Sequence, residues 1–190
     1  LVAQAGTLGA TLARFLYGIP FAACWVGVLH VLPATTGPMP GLHWGWFGWL
    51  MLGALGQLTA TACLLGAMKQ RNFVVGVAFS KTDALQVALF ASLFLQELPG
   101  WLTLLAIGLA TAGVVMLSLP QNAGATTAGG WNGLAAAYGL ASGAGFALSA
   151  VGYRGAALQL PEVSPWLSGA WGVLCAQSAQ TLLLGSWLAL

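Results

Sequence analysis

The sequence predicts an all-α integral membrane protein, a polytopic bundle of about six transmembrane helices. Three observations lead there. Charged residues are 4% of the chain and hydrophobic residues 59%, where a soluble domain carries roughly a quarter charged residues. The mean hydropathy is +0.88. Apolar residues also gather in runs of about twenty, the length needed to cross roughly 30 Å of hydrocarbon. Membrane β-strands are excluded by the same runs, because a barrel strand reads as about ten residues of alternating polarity.

Spans are expected near 11–31, 44–68, 73–96, 100–119, 131–157 and 165–190. The breakers fall between them. Pro33, Pro38 and Pro40 interrupt 32–43, since proline cannot continue a helix. Lys69-Gln70-Arg71-Asn72 is the one clearly basic turn. Glu97-Leu98-Pro99-Gly100 makes a tight corner, 120–130 is a linker of small and polar residues, and Pro161 and Pro165 flank the last turn. Tryptophans mark the ends of the spans: Trp44, Trp46 and Trp49 open the second, and Trp101, Trp131 and Trp166 open the last three. Trp favours the interface, where its ring is apolar and its N–H stays wet. In the fifth span Ala135, Gly139, Gly143 and Ala147 recur every fourth residue. Such a smooth stripe lets helix backbones approach closely, so Gly139 and Gly143 are expected to be structural. Gly108 and Ala112 form a weaker version in the fourth span.

The ends carry a further expectation. Residue 1 is Leu, no basic segment precedes the first span, and 181–190 are still apolar. The chain therefore reads as an internal segment of a longer membrane protein without a signal peptide.

The eight charges are Arg14, Lys69, Arg71, Lys81 and Arg154 against Asp83, Glu97 and Glu162, for a net charge of +2. This is too small and too scattered for a nucleic-acid footprint. Cys24, Cys63 and Cys175 are isolated within apolar runs and form no metal or redox spacing. No cofactor or metal is expected.

Lys81 and Asp83 stand out because they lie in the middle of an apolar run. A charge at a helix centre costs roughly 2.5–3.5 kcal/mol on insertion scales and usually marks a site or pathway. Two readings stay open. In a continuous helix the two side chains point about 200° apart and cannot pair. In a broken helix, Ser80-x-x-Asp83 has the form of a capping box. A helix starting there would aim N–H groups and a lysine at an anionic solute. Thr82 and Gln86 are the neighbouring hydrogen-bond candidates. Arg14, one turn into the first span, either snorkels to the interface or joins the same cavity. Glu97 is expected to cap the following helix or pair locally. Gln57, Gln86, Gln177 and Gln180 either bond between helices or line a pore. Enzyme motifs are absent: there is no HExxH, GxSxG or P-loop. Leu140-Ala141-Ser142-Gly143 only approaches an intramembrane protease motif, and no histidine accompanies it.

The stretch 78–120 resembles the last two helices of an EamA-type repeat in the drug/metabolite transporter superfamily. The resemblance rests on Phe94, Leu95, Glu97 and Leu98 at the end of one helix, then Gly108 and Gly113-Val114-Val115 in the next. Leu12 to Ala22 resembles the family's second helix, with Arg14 near its start. Gln96 stands where the pattern has Gly, and Asp83 where many members have Pro. The resemblance implies a ten-helix transporter of two five-helix repeats. Residues 1–119 would then be the first repeat lacking its first helix, 120–130 the inter-repeat linker, and 131–190 the start of the second repeat. It also implies a bacterial inner-membrane location.

The leading functional expectation is a secondary transporter, an exporter by resemblance, of small organic solutes. Its partners are then the solute and the lipid bilayer; the oligomeric state is open. A non-transporting membrane scaffold is the second reading and a lipid-modifying enzyme the third. Orientation has two opposed indications. Lysine and arginine place 69–72 and the Arg14 end in the cytoplasm, whereas the family arrangement places 69–72 outside.

Overall fold

The computed structural model describes residues 2–32, 41, 43–70, 73–118 and 133–189. The expected linker 120–130, Arg71, Trp131 and most of the proline-rich loop lie outside the described residues. Every described element is helical, in the order α1 (Val2–Val31), α2 (Trp44–Met68), α3 (Phe73–Ser80), α4 (Asp83–Phe90), a π-helical turn (Ala91–Leu95), α5 (Trp101–Ser118), α6 (Gly133–Leu158) and α7 (Pro165–Ala189). All six expected segments thus contain helix, and the third is broken.

Four helical segments are long and apolar enough to cross a membrane: Thr11–Val31, Trp44–Met68, Gly76–Leu95 and Gly133–Leu158. Trp101–Gly113 is a shorter apolar helix. α7 is long enough, but Gln177, Gln180 and its hydroxyl side chains dilute its apolar character. The exposed side chains agree with a lipid surround. Phe21, Leu109, Met116 and Leu182 are each at least 73% exposed, a burden in water that lipid removes. The chain is a helical integral membrane protein by these measures.

The chain divides into two compact units, Leu1–Leu55 with Gly152–Leu190, and Gly56–Val151. In the first, α1 packs along α7. Gly6, at φ 70 and ψ 178, interrupts α1 near its start, a conformation that suits glycine. Further on, the carboxamide of Gln177 lies against Gly18, so close that a Cβ there would meet it at 2.6 Å. The Trp171 indole N–H donates to His30 Nε2 at 3.2 Å. Val26, Leu29, Trp46, Leu50, Ala156 and Leu167 form the core of this unit. Gln180, fully buried, makes the interhelical bonds considered from the sequence. Its Nε2 lies 3.2 Å from the Ala54 carbonyl and 3.4 Å from the Tyr153 hydroxyl. Just before α2, the His43 ring lies 3.1 Å from Gln159 Oε1 and 3.1 Å from the Gly41 carbonyl. The Gln159 contact first, and the Gly41 carbonyl second, raise the His43 pKa above its ordinary value.

In the second unit α6 carries small residues on two faces. Ala135, Gly139, Gly143 and Ala147 are all buried, and Gly139 and Gly143 pack against α3. A Cβ on Gly139 would strike the Gly76 carbonyl and sit 2.9 Å from Phe79 Cβ, both on α3. On the other face, Gly145 approaches α2, where a Cβ would meet Ala60 Cβ at 2.8 Å. The α5 pair behaves differently. Gly108 and Ala112 are exposed, and nothing lies within 4 Å of a Cβ added at Gly108. That pair forms no seam among the described residues.

The corner after the π-helical turn makes one departure from the resembled pattern costly. Gln96 is left-handed, at φ 56 and ψ 23, where a side chain costs about 1–2 kcal/mol. Glycine, which the pattern has here, adopts that conformation freely. Gln96→Gly should therefore hold or raise the melting temperature in detergent. Gln96→Val, β-branched at positive φ, should lower it; a stabilising Val would contradict the assigned backbone.

Candidate functional site

The third span breaks at Lys81-Thr82. The backbone tightens first: Lys81 N bonds to the Ala78 carbonyl at 3.1 Å and Thr82 N to the Phe79 carbonyl at 3.2 Å. These reach back three residues rather than four, as in a 3₁₀ turn. Thr82 sits at φ −75 and ψ −1, and Gln86 N then bonds to the Thr82 carbonyl at 3.2 Å to start α4. The hydroxyls sustain the break by capturing carbonyls. Ser80 Oγ donates to the Val77 carbonyl at 2.7 Å and Thr82 Oγ1 to the Phe79 carbonyl at 2.7 Å. Such local bonds offer the backbone an alternative to the helix ladder.

The break was foreseeable, but the capping box is not what makes it. Thr82, not Ser80, occupies the N-cap position, and it makes no side-chain cap bond. Ser80 points its hydroxyl back along α3 instead. Asp83 Oδ1 accepts from its neighbour Ala84 N at 2.8 Å. The carboxylate thus satisfies an N–H in the first turn of α4, where a negative charge also suits the helix dipole.

Gly143 of α6 receives this kink. A Cβ there would lie 3.1 Å from the Ser80 carbonyl, 3.2 Å from Gln86 Nε2 and 3.4 Å from Asp83 N. The glycine thus brings α6 onto the break and onto two of the candidate residues, Asp83 and Gln86, at once. Gln86 Nε2 donates to Thr82 Oγ1 at 3.0 Å. Gln86 Oε1 is buried and has no hydrogen-bond partner among the described residues. Ser142, next in chain to Gly143, is 0% exposed, and its Oγ also has no partner among them. Buried polar groups are nearly always satisfied, so these two mark places for water or a polar solute.

The sequence-derived candidates separate accordingly. Thr82, Asp83 and Gln86 are half-buried, Asp83 and Gln86 beside Gly143 and Thr82 bonded to Gln86, while Lys81 is exposed in the turn itself. Arg14 belongs to the other compact unit. It is exposed and its guanidinium carbon lies 5.5 Å from the centre of the Phe15 ring. Glu97 lies at the corner before α5, its backbone N bonded to the Ala91 carbonyl at 3.3 Å. Ser142 had only been noted for its failed resemblance to a protease motif. Its signal was available, as a hydroxyl adjoining the glycine stripe. Among the described residues no group of three His, Cys, Asp or Glu side chains could hold a metal ion. Comparison with protein-family models, curated proteins and solved structures finds no match to this chain.

Proposed function

We propose that the chain belongs to a secondary transporter of small organic solutes in the bacterial inner membrane, built on the EamA-like plan of ten helices and two repeats that the sequence resembles. The carrying observation is the break in the third span. A helix interrupted between Gly76 and Leu95, with Asp83 and Gln86 against a glycine of a second helix and Thr82 bonded to Gln86, has the form of a transporter's solute site. Discontinuous helices supply ligands at membrane depth because their ends leave backbone groups open. The packing of α1 on α7 also suits the two-repeat plan, which makes these two helices equivalents. In this reading α5 and α7 cross the bilayer as well, which gives six spans, and the protein is not an enzyme.

Reconstitution of the full-length gene product tests the reading. Proteoliposomes are loaded with labelled amino acids, nucleosides or hydrophobic dyes, and a proton or sodium gradient is imposed. Saturable, gradient-dependent flux of at least one class is expected. A protein that inserts and folds but moves none of them under either gradient would instead be a membrane scaffold.

A further inference from the structure

We infer that the break in the third span takes a solute carrying a protonated primary amine, held by Gln86 Oε1, the Ser80 carbonyl and Asp83. This deepens the solute-site reading of the break and rests on it. Gln86 Nε2 donates to Thr82 Oγ1 at 3.0 Å, and the one proton of that hydroxyl is already given to the Phe79 carbonyl at 2.7 Å. The Thr82 oxygen can therefore only accept. This fixes the NH₂ end of the Gln86 amide toward it and turns the carbonyl end away. That carbonyl oxygen, Oε1, is buried and has no hydrogen-bond partner among the described residues. A buried acceptor left open is costly, and here it calls for a donor that those residues do not supply.

The backbone adds a second acceptor. In an unbroken helix the Ala84 N–H would bond the Ser80 carbonyl four residues back. It goes instead to Asp83 Oδ1 at 2.8 Å, which releases that carbonyl. The Ser80 oxygen and Gln86 Nε2 lie 3.1 and 3.2 Å from one point, the position of a Cβ on Gly143, so carbonyl and amide share one place. Asp83 supplies the charge. Its other oxygen, Oδ2, has no hydrogen-bond or basic partner among the described residues, and Lys81 is exposed in the turn without pairing to it. A carboxylate at membrane depth ordinarily has a counter-charge. The N-terminus of α4 acts in the opposite sense, being equivalent to roughly half a positive charge. The full negative charge of Asp83 outweighs it, so the place favours a cation, the reverse of what a bare helix N-terminus takes. A primary ammonium joins that charge to three N–H donors, and its bonds to a carboxylate are strong. A trimethylammonium can donate none. Gln86 Oε1 is closed to solvent, so the solute enters as the break opens.

Three probes with one phenylethyl body separate charge from hydrogen bonding. They are phenethylammonium, phenethyltrimethylammonium, which has the charge and no N–H, and the anion 3-phenylpropionate. Their binding to the detergent-solubilised full-length protein is measured by calorimetry at neutral pH. Phenethylammonium should bind roughly tenfold more tightly than the trimethyl cation, the gain expected of a charge-assisted hydrogen bond, and the anion should bind weakest. Gln86→Leu and the longer Gln86→Met should each erase the preference between the two cations, while Asp83→Asn should weaken both. All three variants should keep the wild-type melting temperature without ligand. The site is overturned if phenethylammonium does not bind, if the anion binds as tightly, or if the two cations bind alike. A preference that survives both Gln86 substitutions in folded protein overturns it as well. Flux is read separately. Gradient-driven flux of other solutes without phenethylammonium binding keeps the transporter and removes this assignment. The expected binding pattern without flux of any solute keeps the amine site and removes the transporter.

Discussion

Gly139→Ala should lower the melting temperature of the detergent-solubilised protein by on the order of 5 °C, and Gly139→Leu should abolish recovery of folded protein. The added methyl would strike the Gly76 carbonyl of α3 and crowd Phe79 Cβ. A flexible side chain could swing aside, but a helix backbone can yield only if α3 or α6 moves. Overpacking of this kind typically costs about 1–3 kcal/mol, which corresponds to a few degrees in a protein of this size. The local helical preference acts in the opposite direction, since alanine is the better helix former by about 1 kcal/mol. Gly108→Ala isolates that opposing effect. Nothing lies within 4 Å of a Cβ there, so this change should raise the melting temperature or leave it unaltered. If both alanine variants behave alike, α3 and α6 do not meet at Gly139.

The seam also shows what could be read in advance. Residues spaced by four along an apolar run report helix packing because in lipid nothing else selects for small side chains on one face. Ala135, Gly139, Gly143 and Ala147 were therefore legible as a buried stripe. The partner was not, because spacing on one helix says nothing about which helix lies opposite. Gly108 and Ala112 have half the pattern and none of the packing. Four of the expected spans were legible from length and apolar composition, and so was the possibility of a break at Lys81-Thr82. The bonds that make it were not. Ser80-x-x-Asp83 matches the capping pattern, but a serine at the end of a helix can also donate back to its own preceding turn, and Ser80 does so toward Val77. Sequence spacing cannot distinguish these two local bonds of similar strength. The open polar atoms of Gln86 and Ser142 were hidden for another reason: their significance lies in the absence of a partner, which only the surrounding helices decide.

Asp83→Asn should cut solute flux at least about tenfold, the loss expected when one charge-assisted contact is removed, and should change how flux depends on pH. The substitution is almost isosteric. Asparagine keeps a side-chain oxygen that can accept from Ala84 N as Asp83 Oδ1 does at 2.8 Å, so the break and the start of α4 should survive. Only the charge is removed. Unchanged thermal stability alongside lost flux would therefore assign the effect to the solute site. Lys81→Leu gives the complementary test. It removes an insertion penalty of roughly 2.5–3.5 kcal/mol, so the protein should reach the membrane at least as well as the wild type. Lys81 is exposed in the turn, free of the packing that holds Gln86 and Ser80 against Gly143, so its removal should leave the kink intact. If Lys81 supplies the counter-charge to a solute at the break, flux should fall as it does in Asp83→Asn. Wild-type flux and an unaltered pH profile in Lys81→Leu would reduce Lys81 to a solvated or snorkelling residue and leave Asp83, Thr82 and Gln86 as the site. Wild-type flux in both variants would remove the break from the transport pathway.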